Sequence, residues 1–433
     1  MKRYSLMTAV LALMLAGALA LTGCPKTTGD DDPDTSTVPT IPTVPVSDPV
    51  DLTVPVVDKT ALQTALTAAA AAGKDGTANT LYWVPTATLT AFETAITEAQ
   101  TVNANANADQ AAVDSAKTTL EGATTAFTGQ KSAAETNPVT VLGAIKTAYN
   151  SGTGWPGYPA DPTPVTIIVS GIITDTSTAP ANGWLDISVT DTYPPITLQG
   201  TGATGGGTLD ATTASPRKRV LNINNGHKVT LGANLTLTGG SSTSAGGVQI
   251  GGASTFTMTD GTISGNSTTS SMGGGVYLGG SSTTFTMTGG TISGNTAKTS
   301  GGGVFVTSSA TFKMDNGTIS GNGATQTYGG GVMIGSGTFT MNDGTISGNT
   351  AKTTGGGVQV GNDATFTKNG GIIKGGGSGT APDNTATDGD ASGNKGHAVY
   401  WAQTGALRKA DDDVEGDLKT SDATAGWTAF TLP

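Results

Sequence analysis

The residues able to do chemistry are few and poorly placed to do it together. Cys24 is the only cysteine, so no intramolecular disulfide forms. His227 and His397 are the only histidines, far apart and each in turn-like surroundings. No Glu occurs between Thr136 and Val414, and no Arg between Val220 and Leu407. Glycoside hydrolysis needs paired carboxylates. A polysaccharide lyase needs a strong base and a cation or cationic side chain to stabilise charge. The Asp residues of this stretch sit mostly at turns beside Gly. Gly301–Gly303 precede a strand and lack the Lys and helix of a phosphate loop, and no Asp keeps the fixed phase of a calcium-binding nonapeptide. No catalytic residue, cofactor or metal ligand set is therefore assigned. A non-enzymatic protein is the expectation, and a polysaccharide-active lyase or hydrolase is the alternative.

The elements that position these residues repeat. Phe256, Phe285, Phe312, Phe339 and Phe366 recur in step with Ile263, Ile292, Ile319, Ile346 and Ile373, and with Val248, Val276, Val304, Val332 and Val358. A period of about 27 residues with Gly and Asn at fixed phases signals stacked repeats. Each unit between Gly246 and Gly375 holds three short alternating strands, such as Val304-Phe305-Val306, Phe339-Thr340-Met341 and Thr345-Ile346-Ser347. Alternation gives one apolar and one polar face. Only coiling, with like strands stacked on like, buries every apolar face. The fold class is thus mainly β: a right-handed parallel β-helix, three short strands per coil of about 27 residues, over 138–405.

Three sets of repeat residues stand out. Asn266, Asn295, Asn322 and Asn349 follow the third strand and are expected to stack as a structural ladder. The residue before the fixed-phase Gly (Asp260, Gly289, Asn316, Asp343 or Gly370) is expected to take left-handed backbone. Outward positions of the first strand are Gln249, Tyr277, Phe305, Met333 and Gln359. In register, Tyr277, Phe305 and Met333 would form an exposed apolar column, a candidate contact for a glycan or a surface protein.

Composition narrows the partners. The chain has 65 Gly in 433 residues, 12% charged residues and a formal net charge of -11. That charge repels phosphate backbones, which argues against nucleic acid. A monomer is expected.

The N-terminal part reads differently. Lys2 and Arg3 precede an apolar run from Leu6 to Leu21, too short for a confident spanning helix. Seven prolines between Pro25 and Pro55, with an acidic cluster at Asp30–Asp34, make 24–56 an extended tether. Residues 57–130 carry three apolar stripes at helical spacing: Leu62, Leu66, Ala69; Leu89, Phe92, Ile96, Ala99; and Val113, Ala116, Leu120, Ala123, Phe127. They predict a small three-helix bundle, with Tyr82 and Trp83 in the loop before its second helix. Asp58 is expected to cap the first helix, and Asn107 with Gln110 to open the third. A short helix near Val139–Tyr149 would cover the open end of the solenoid, and 406–433 would cap the far end.

Three resemblances extend this reading. Leu21-Thr22-Gly23-Cys24 resembles the lipobox of bacterial lipoprotein signal peptides, which implies removal of 1–23, lipidation of Cys24 and an extracytoplasmic protein anchored to a membrane. Asp58-Lys59-Thr60-Ala61-Leu62, the helix from Leu89 to Ala99, and Asn107-Ala108-Asp109-Gln110 resemble the FIVAR module, a helical spacer of bacterial surface proteins. The Gly-Gly-Gly-Val and Gly-Thr-Ile-Ser-Gly-Asn units resemble repeats of polymorphic-outer-membrane-protein-type β-helices, which implies adhesion or surface display.

Overall fold

The computed structural model describes residues 57–73, 80–151, 164–176, 184–188, 193–202, 206–214, 218–375, 383–387 and 398–403, with further strand backbone at 406–410, 418–419 and 428–430. Residues 1–56, where the signal peptide, Cys24 and the tether are expected, and His397 lie outside the described residues.

The chain is mainly β, a parallel β-solenoid of about 7 turns with coils of about 28 residues. One coil runs Val304–Val306, Thr311–Met314, Thr318–Ser320 and Gly323–Ala324. Each strand pairs in register with its copy one coil on, so Phe312 lies beside Phe285 and Phe339, and Ile319 beside Ile292 and Ile346. The fourth strand, two residues long, is a feature the three-strand reading lacks. It carries one inward residue, Ala297, Ala324 or Ala351, too short a signal for period-two alternation to register.

The interior follows from this register. The five repeat Phe rings are fully buried, with neighbouring centroids 4.6 to 5.4 Å apart and near-parallel planes. Offset stacking at that spacing adds to area burial. Consecutive coils approach so closely that a Cβ on Gly303 would lie 2.6 Å from the carbonyl oxygen of Gly331. That contact is why the Gly-Gly pair before each Val strand cannot carry side chains.

The turn between the Phe and Ile strands corrects one expectation. The left-handed residue is the fixed-phase glycine itself, with φ of 81° at Gly261, 105° at Gly317 and 103° at Gly344. The residue before it serves differently. The Asp260, Asn316 and Asp343 side chains each accept from that glycine's N–H at 2.7 Å. An Asx side chain thus satisfies the turn amide, while the achiral residue takes the strained angle.

Four helices precede the coils: α1 (Thr60–Gly73), α2 (Thr86–Ala104), α3 (Gln110–Gln130) and α4 (Pro138–Ser151). The first three pack through Leu62, Phe92, Leu120 and Phe127, with the Phe92 and Phe127 rings stacked at 4.3 Å. Asp58 caps α1 by accepting from Thr60 N–H at 2.8 Å. The cap of α3 is Asp109, which accepts from Ala112 N–H at 2.7 Å. Gln110 instead ties α3 to Asp58, accepting from its N–H and donating to its carbonyl.

Tyr82 and Trp83 do not lie in a loop. They belong to strand β1 (Thr80–Pro85), which pairs antiparallel with β2 (Val165–Thr174), the first strand of the solenoid. Alternation splits β1 between two cores: Leu81 enters the solenoid, while Tyr82 and Val84 enter the bundle. The bundle is therefore fused to the first coil. An unpaired β2 would expose a row of backbone donors and acceptors, and β1 covers it. Helix α4 lays Val141, Leu142, Ile145 and Tyr149 onto the same end. At the other end Val399–Gln403 continues the Val sheet in parallel and pairs antiparallel with Ala406–Ala410.

Candidate binding surface

The Asn residues singled out by sequence line one buried corner of the rod. Oδ1 of Asn322 accepts from both the backbone N–H and Nδ2 of Asn295, each at 3.0 Å, and its own Nδ2 donates to Ile292 O at 3.0 Å and Asn349 Oδ1 at 2.9 Å. Asn266 and Asn349 repeat the pattern, and Asn384 adds a fifth rung. Asn384 is 35 residues after Asn349 and escapes a fixed period, because the last coil carries an insertion. The ladder uses its amides internally and offers nothing to a ligand.

Outward positions of the Val sheet form one row: Gln249, Tyr277, Phe305, Met333, Gln359 and Tyr400 stand in register. The Tyr277 and Phe305 rings stack at 5.5 Å with planes 21° apart. The expectation of a uniformly exposed column is corrected here. Phe305 is only 5% exposed, whereas Tyr277 and Met333 are partly exposed. The preceding left-handed glycine folds the chain against each side chain. A Cβ on Gly301 would come within 2.8 Å of the Phe305 Cβ, and Gly273 stands likewise to Tyr277. Gln359 is buried and accepts from Thr354 Oγ1 at 2.7 Å. Burial raises the Tyr277 hydroxyl above its ordinary pKa. Burial also raises Tyr400, with Tyr328 adding a smaller contribution.

A second concavity, about 420 Å³, lies where α1 and α2 meet the first coils. Its walls include Leu89, Phe92, Ile96, Phe127 and Ile168, and Glu93 is its one carboxylate. Sequence reasoning missed it, since Ile168 and Gln199 join the helices only through the pairing of β1 with β2. Desolvation raises the Glu93 pKa, against the lowering effect of a long 3.5 Å bond from Gln199 Nε2. An acid with a raised folded pKa favours folding below the unfolded value near ~4.3 and loses that contribution as pH rises through the folded value. Glu93→Gln is therefore expected to remove a contribution that favours folding at pH 4 over pH 7, so that scanning calorimetry finds the melting temperature at pH 4, relative to that at pH 7, lower in the variant than in the parent.

Tyr82 is 2% exposed, lies edge-on to Phe127 and carries Lys131 Nζ 4.1 Å above its ring, so its ring is not open to a ligand. His227 is buried with Tyr193 edge-on at 5.4 Å. Among the described residues no group of three or more His, Cys, Asp or Glu could hold a metal ion, and no helix is long and apolar enough to cross a membrane. Comparison with protein families, curated proteins and solved structures finds no match to this chain.

Proposed function

We propose that the chain is a non-enzymatic, extracytoplasmic lipoprotein whose solenoid is a display rod, an adhesin that presents the outward row of its Val sheet to a glycan. The observation that carries this reading is the stacked Tyr277–Phe305 pair, flanked in the same row by the partly exposed Gln249. Aromatic faces supply apolar contact to sugar rings, and amides supply donors and acceptors for their hydroxyls. Tyr277 and Met333 are the accessible apolar members, so they make the contact, and the Phe305 ring stacked beside Tyr277 holds it in place. The lipobox-like Leu21-Thr22-Gly23-Cys24 supports lipidation at Cys24 and attachment to a bacterial membrane. The FIVAR-like helices and the likeness of the coils to polymorphic-outer-membrane-protein-type repeats support surface display of a right-handed rod that acts as a monomer.

The test is a glycan and host-matrix array probed with the full chain carrying Cys24→Ser, against the same chain with Tyr277→Ala and Met333→Ala. The expected outcome is a glycan signal that the double variant loses at an unchanged melting temperature. Identical array profiles, or turnover of an acidic polysaccharide by the parent, would sink the proposal.

A further inference from the structure

Two other faces of the rod are far more uniform than the Val sheet. Outward positions on the Phe strands stack in register as Thr197, Thr230, Thr257, Thr286, Thr340 and Thr367, interrupted only by Lys313. Two residues earlier on the same strands runs a second row, Thr255, Thr284, Thr311, Thr338 and Thr365. The next sheet carries a third row from Thr208 to Thr345. Threonine favours strands, but so do valine, isoleucine and tyrosine. A face that needed only solubility would mix charges of both signs. Here one charge interrupts the two rows from Thr255 onward, and Lys313 turns aside to pair with Asp315 at 2.9 Å.

The hydroxyls are also uncommitted. Helix threonines such as Thr64, Thr90 and Thr118 donate to the carbonyl four residues back. Among the described residues, none of the row hydroxyls on the Phe strands beyond Thr197 is bonded to another protein group, and these threonines are partly or fully exposed. The result is a neutral two-dimensional grid of identical hydroxyl and methyl groups. Its repeat is about 4.8 Å from coil to coil and about 6.6 Å between rows along a strand.

Tetrahedral water with O···O near ~2.75 Å has second-neighbour oxygens about 4.5 Å apart, and a hexagonal lattice built from it repeats at about 7.3 Å. The match is closest along the rod. A single glycan chain offers a repeat in one direction only, and this grid carries no aromatic ring for a sugar face. We propose that the threonine grid on the Phe strands is a binding surface for crystalline water. Its hydroxyls take lattice positions and its methyls fill the hollows between them. This face is distinct from the row bearing Tyr277, so the inference stands or falls apart from the glycan reading.

The experiment grows ice slowly from a solution of the full chain carrying Cys24→Ser and compares protein in the ice with protein left in the liquid. Ice enrichment is expected. Thr257→Lys with Thr367→Lys, which together with Lys313 places charges on alternate coils, is expected to abolish it at an unchanged circular dichroism spectrum. Lys313→Thr, which completes the row and costs only a surface ion pair, is expected to raise enrichment several-fold. That repair variant tests the grid even if the lysine variants unfold. Exclusion of the parent from ice, equal uptake of the folded lysine variants, or no gain from Lys313→Thr overturns the proposal. Adsorption to crystalline cellulose or chitin without uptake into ice overturns it as well.

Discussion

Replacing Asn322 with leucine is expected to destabilise the middle coils by about 4 kcal/mol, read as a lower urea midpoint. The side chain is 1% exposed and makes four hydrogen bonds in a continuous buried ladder. Leucine fills similar volume but strands two donors of Asn295 and the carbonyl of Ile292 away from water. Each orphaned group costs about 1–3 kcal/mol. Asn322→Asp separates volume from hydrogen bonding. Its ionised carboxylate would face Ile292 O and Asn349 Oδ1, which offer it no donor, so burial and repulsion push its pKa up. A carboxyl with a raised folded pKa favours folding below the unfolded value near ~3.9 and loses that contribution as pH rises. The aspartate variant is thus expected to regain part of its lost stability on acidification, and the leucine variant is not. Equal pH profiles for the two would show that the ladder is not the source of the effect.

Replacing Phe312 with alanine is expected to cost a similar amount, about 4 kcal/mol, through a different mechanism. The ring is fully buried between Phe285 at 4.8 Å and Phe339 at 4.6 Å. Truncation opens a cavity and breaks two stacking contacts, and the hydrogen-bonded coils above and below resist collapse into the space. Because each coil touches mainly its neighbours, the loss should be local. Hydrogen exchange should accelerate most in Thr284–Met287, Thr311–Met314 and Thr338–Met341, and much less in β1 and β2. Uniform acceleration along the whole rod would show that the solenoid unfolds as one cooperative unit.

The solenoid was legible because its signal is repeated. Phe, Ile and Val keep their phase over five units and Asn over four, and a period-two strand has only one apolar face to bury. The inward assignments of Phe312, Ile319 and Val304, and the stacking of Asn322, follow from that constraint alone. Features written once were harder to read. Thr80–Pro85 looked like a loop because it joins helical segments, and its partner Val165–Thr174 lies some 80 residues away in sequence. The cleft beside Glu93 exists only because that pairing brings α2 against the first coils.

The sequence by itself determined the period, three of the four strands of each coil, their inward side chains and the scarcity of catalytic groups, because each depends on local alternation or on residue inventory. Only the tertiary structure decided which outward residues are accessible. Tyr277, Phe305 and Met333 occupy the same position in three successive units, yet Phe305 is buried between its neighbours while the other two remain partly exposed. Exposure of an outward side chain depends on the coils stacked on either side and on the glycine turn folded against it. Those contacts come from residues a full coil away, which no local pattern records.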